Sequence, residues 1–106
     1  MLPLPRLTPA TSDALAALLA HPEPVWGLLI VKESGRPAGS IYPILERLER
    51  LGWVTSEWEA ESERSGPRRR LYRLTSDGAI AAREAVQRFQ EQARPRLVGA
   101  PSEVIV

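Results

Sequence analysis

The sequence predicts a mainly α-helical domain carrying one small β-hairpin, and three observations lead to it. Apolar residues recur at three-four spacing in short stretches ahead of Gly52. A single aromatic and β-branched run, Trp53 to Trp58, is followed by a polar segment and an arginine-rich run from Arg68 to Leu74. Thr75 then opens a further helical stretch that reaches about Ala93.

Each element has its own signals. Thr8-Pro9 is a hydroxyl cap followed by proline at the first helical position. Leu15, Leu18 and Leu19 carry that first helix, and His21-Pro22-Glu23-Pro24 stops it. A second helix is expected from Val25 to about Glu33, with Trp26, Leu29 and Ile30 on one side and Ser34-Gly35 at its end. Arg36-Pro37 starts a third, whose core face is Ile41, Ile44, Leu45, Leu48 and Leu51 and whose stop is Gly52. Pro43 falls inside it, removes a backbone donor, and should kink the helix or move its start toward Ser40. In the return strand, Leu71 and Arg73 share one face and Arg70, Tyr72 and Leu74 the other. Pro95 ends the last helix, and residues 95–106 are expected to form a mobile tail.

Helices, hairpin and final helix in this order make a winged helix-turn-helix over residues 8–74, with an added C-terminal dimerisation helix over 75–94. In that fold the third helix enters the major groove of DNA and the hairpin, the wing, runs beside it. Residues Arg36, Ser40, Tyr42, Pro43 and Arg47 then lie at or on the outward face of the third helix. A helix N-terminus also favours a phosphate. On the wing, Arg68, Arg69, Arg70 and Arg73, with Arg64 nearby, concentrate positive charge. Glu57, Glu59, Glu61 and Glu63 lie opposite, so a cross-strand ion-pair ladder is an equally physical use of the same arginines. On the last helix, Ala79, Ala82, Val86, Phe89 and Ala93 form a narrow seam of mostly small side chains. The seam fits a second subunit or the chain's own first helix, and the helix's length favours the second subunit.

Composition limits the alternatives. A formal charge of +1 over 106 residues does not by itself announce a nucleic-acid binder. Thirteen of the fourteen basic residues are Arg, however, whose planar fork suits phosphates and guanine edges. Cysteine is absent, which removes disulfides, thiol nucleophiles and Cys zinc sites. His21 is the single histidine and reads as a loop or helix-end residue. Ser40, Ser56 and Ser62 lack a histidine–acid arrangement, and no glycine-rich phosphate loop is present. Neither an enzyme, nor a cofactor, nor a metal site is expected. Trp26, Trp53 and Trp58 are read as core and wing-base packing. No stretch reaches membrane-span length, so a cytoplasmic protein is the expectation.

The segment from Gly39 to Gly78, with GSIYPILERLERLGWV, an arginine-rich, Tyr-containing strand and LTSDG, resembles the PadR family of bacterial transcription regulators. The resemblance implies a homodimeric repressor of a pseudo-palindromic operator on double-stranded DNA, often released by a small molecule. By position it puts Ser40, Tyr42 and Arg47 on the recognition helix and Arg68 to Arg70 on the wing. Two arrangements stay open for the dimer: a flat aromatic effector in a space between the C-terminal helices and the opposing domains, or a fully packed interface with regulation only by protein abundance. The alternative is a winged helix that meets an acidic protein through its arginine strand.

Overall fold

The computed structural model describes residues 1–60 and 66–93. Helix α1 spans Pro9–Leu19, strand β1 Val25–Trp26, and helices α2 and α3 Gly27–Ser34 and Ala38–Arg50. Strands β2 (Val54–Trp58) and β3 (Arg70–Leu74) form the wing, and α4 spans Ser76–Ala93. Glu61, Ser62, Glu63, Arg64, Pro95 and the tail expected over 95–106 lie outside the described residues.

The capping chemistry works as the sequence indicates. The Thr11 amide donates to Thr8 Oγ1 at 3.1 Å, closing the start of α1. Gly35 (φ 73°) and Gly52 (φ 85°) take the left-handed conformation that stops α2 and α3, which glycine adopts without penalty. Thr75 Oγ1 accepts the Gly78 amide at 2.9 Å and donates to the Gly52 carbonyl at 3.0 Å, so the cap of α4 is tied to the end of α3.

The second helix departs from its predicted extent. Val25 and Trp26 are not helical: they form β1, pairing antiparallel with Tyr72 and Leu71. The sheet therefore has three strands, ordered β1-β3-β2. Two residues are too few to show a period, and a β-branched–aromatic pair held between Pro24 and Gly27 meets the free edge of β3. Pro43 also behaves differently from expectation. Helix α3 starts at Ala38, and the Ser40 and Ile41 amides both donate to the Pro37 carbonyl. Pro43 sits well inside the helix on its exposed face, where the carbonyl it leaves without an intrahelical donor is open to solvent.

One core unites the elements. Ala14, Leu15 and Leu18 of α1, Ile30 of α2, and Ile41, Leu45 and Leu48 of α3 are nearly fully buried, with Val54 and Ala82 beside them. Burying each of the leucines contributes about 1.5–3 kcal/mol. Trp53 is buried too, and its indole N–H donates to the Leu2 carbonyl at 2.7 Å. The Leu2 amide in turn donates to the Leu51 carbonyl at 2.9 Å, so the N-terminal arm closes the bottom of the core. Only Trp53 of the three tryptophans is a core residue. Trp26 is half-buried, and Trp58 is 60% exposed on the wing.

Candidate nucleic-acid interface

The three-four spacing of α3 turns Ile41, Ile44, Leu45 and Leu48 inward. Pro43, Glu46, Arg47, Glu49 and Arg50 are left in solvent, with Ser40 half-buried at the start. No side chain caps α3, since its N-cap is Pro37. Ala38 and Gly39 are exposed, and nothing lies within 4 Å of a Cβ built on Gly39. The first turn thus presents backbone amides and a positive dipole end to an open surface.

Tyr42 is exposed by 38%, yet it is not free. A Cβ on Gly27 would come within 2.9 Å of Tyr42 Cε1 and 3.1 Å of Tyr72 Cε1. Two tyrosines, one from α3 and one from β3, therefore close over a glycine at the start of α2. Burial pushes the Tyr72 phenol above its ordinary pKa of 10.0. The Arg70 charge opposes that rise, and Tyr42, Glu49 and Glu46 reinforce it.

Arg36 lies just before α3, where its Nε donates to Asp13 Oδ2 at 2.9 Å and pins the helix start to α1. Arg47 is exposed on α3 and Arg68 is exposed at the approach to β3. Arg69 and Arg70, neighbours in sequence, are both half-buried, and each covers a tryptophan. The Arg69 guanidinium carbon lies 3.8 Å from the centre of the Trp26 ring, and its buried Nε has no hydrogen-bond partner. The Arg70 guanidinium carbon lies 4.9 Å from the centre of the Trp58 ring. Arg70 Nη2 also donates to Ser56 Oγ at 2.8 Å, and Ser56 Oγ donates to Glu49 Oε2 at 2.6 Å. In register, Glu57 faces Leu71 and Trp58 faces Arg70. Carboxylate and arginine are therefore not directly opposed at those positions. Sequence reasoning missed the roles of Glu49, Ser56 and Gly27, and read Trp58 as packing without its arginine partner. The alternation of Ser56 and Trp58 on one face of β2 was the available signal, but their facing partners depend on the hairpin register.

On α4, Ala82 and Val86 are buried in the chain's own core with α1, Ala79 and Phe89 are half-buried, and Ala93 is exposed. Phe89 borders a groove with Pro3, Leu4 and Leu7 of the N-terminal arm. His21 Nε2 lies 2.7 Å from Glu33 Oε1, joining the loop after α1 to α2. Among the described residues, no three His, Cys, Asp or Glu side chains are grouped to hold a metal. No described helix is long and apolar enough to cross a membrane.

Helix, turn, exposed second helix and flanking wing define a winged helix-turn-helix protein. The model of the PadR-like family of transcriptional regulators matches residues 17–84, and the chain belongs to that family. It is a transcription regulator, not an enzyme. Among solved structures, a PadR-like transcription factor from Bacteroides fragilis is 30% identical with a TM-score of 0.57, covering 79% of this chain and 84% of its own. The PcaV transcriptional regulator of Streptomyces coelicolor, solved with its natural ligand, is 25% identical with a TM-score of 0.71 (91% and 65% covered). The S. aureus MepR–DNA complex shares the fold at 21% identity and a TM-score of 0.62 (88% and 73% covered). A comparison with curated proteins finds no match.

Proposed function

We propose that the chain is a homodimeric, sequence-specific DNA-binding repressor that places one α3 in each half of a pseudo-palindromic operator. The observation that carries this reading is the uncapped, open first turn of α3. The helix that follows has Ser40, Pro43 and Arg47 on its outward face and an arginine-bearing wing beside it. Amides and a dipole end attract phosphate, Ser40 and Arg47 reach base edges, and Arg68 extends the positive surface along the backbone. A second copy joins through α4, with Phe89 and the exposed Ile80 supplying apolar surface. A flat aromatic effector between the α4 helices of the dimer completes the reading. A ligand-bound regulator of similar fold is known in PcaV, which is solved with its natural ligand. Such a ligand releases DNA only if it binds the DNA-incompetent spacing better than the competent one.

Titration of the protein with the duplex upstream of its own gene, and with a scrambled duplex, at two salt concentrations tests the proposal. Binding should favour the first duplex and fall steeply with salt as counterions are released. Equal, salt-independent affinities would overturn it.

A further inference from the structure

We propose that Arg70 and Ser56 are positioning residues that lock the wing to the recognition helix, and that Arg68 carries the wing's contact with the DNA backbone. The inference rests on the DNA-binding reading above and refines which residues serve it.

Adjacent residues on a strand point to opposite faces, so Arg69 and Arg70 grip the wing from two sides. Arg69 stacks on Trp26 and joins the approach to β3 to β1. Arg70 stacks on Trp58 and reaches back through Ser56 to Glu49. The second chain of contacts crosses two element boundaries, β3 to β2 and β2 to α3, within three side chains. It also balances charge: the Glu49 carboxylate is linked to the Arg70 guanidinium through one hydroxyl. A phosphate approaching Arg70 would have to displace a hydrogen bond of 2.8 Å and a stacked ring. Arg68, by contrast, is exposed and takes part in none of these contacts.

The two roles differ in what substitution does. A phosphate contact is charge-based, so Lys replaces Arg tolerably and Ala lowers the salt dependence. A positioning arginine uses its planar fork, which Lys lacks. Its loss should spare loose electrostatic binding and damage only the mode in which helix and wing engage together.

The experiment is a set of anisotropy titrations over a salt series. It uses the tightest duplex selected from random-sequence DNA and a scrambled duplex of equal composition. Arg68→Ala should weaken both duplexes alike and reduce the salt slope by about 0.9 for each subunit's lost contact, about 1.8 for the dimer. Arg70→Ala, Arg70→Lys and Ser56→Ala should each lose about tenfold on the selected duplex, the scale of one hydrogen bond to a charged group. Each should leave the scrambled duplex and the salt slope unchanged. The double variant should be no worse than either single one, because both break the same chain of contacts. If Arg70→Ala lowers the slope and weakens both duplexes while Arg70→Lys preserves binding, Arg70 is a phosphate contact and the proposal falls. Wild-type binding or variant losses that are absent altogether would be decided in the free protein. There, Arg70→Ala and Ser56→Ala should shift alike the iodide-quenchable part of the tryptophan emission, which reports the exposed Trp58, at unchanged circular dichroism. Unchanged emission overturns the coupling; a shift in a wild type that binds no duplex overturns the DNA reading and keeps it.

Discussion

A methyl group added at Gly78 would run into the Trp53 carbonyl oxygen and lie 2.8 Å from Thr75 Oγ1. Neither neighbour is a flexible tip, because both belong to the junction that ties α4 to the end of α3. Gly78→Ala should therefore cost about 1–3 kcal/mol, read as a lower urea midpoint at unchanged slope. At Gly27 the obstacles are the ring edges of Tyr42 and Tyr72, which can swing aside. Gly27→Ala should cost less than about 1.5 kcal/mol yet narrow the preference for operator over scrambled DNA, since Tyr42 moves on α3. The same pair sets a pH dependence. Burial raises the Tyr72 pKa in the folded state above its unfolded value of 10.0. Folding stability is thus undiminished by this group below pH 10 and falls as the pH rises past it. Tyr72→Phe should remove part of that alkaline loss in thermal melts recorded across the range.

At the scale of elements, the capping threonines and the helix cores were plain in the sequence, and the sheet was only half visible. Ile41, Ile44, Leu45 and Leu48 repeat often enough to fix both the type and the buried face of α3. Val25 and Trp26 have no period of their own, and only the edge of β3 makes them a strand. The uses of Arg69 and Arg70 depend on hairpin register and on that third strand, so the arginine run looked like a charge patch. Ala82 and Val86 show the converse difficulty. Three-four spacing on α4 marks a packed stripe without saying whose helix packs against it, and here α1 of the same chain does. Thr75 tests the junction between elements. Its hydroxyl caps α4 and also donates to the Gly52 carbonyl. Thr75→Ala should cost about 1–2 kcal/mol, toward the upper range for caps, by urea unfolding.

For the whole molecule, the proposed assembly draws on the part of α4 that the core leaves uncovered. Phe89 is half-buried beside the N-terminal arm and Ile80 is 56% exposed. A charge at Phe89 should be tolerated by the fold, because only part of the ring is covered. It should not be tolerated by an apolar contact with a second copy. Phe89→Glu is expected to run as a monomer by light scattering and to lose operator binding while keeping the wild-type circular dichroism spectrum. A wild type that is monomeric at micromolar concentration would remove the dimer from the proposal.

The arm that begins at Met1 has a practical bearing on how the protein is handled. The Leu2 carbonyl is the acceptor for the Trp53 indole, and the Leu2 amide fills the Leu51 carbonyl at the end of α3. Any affinity tag joined directly ahead of Met1, or any trimming of the first residues, acts on the floor of the core.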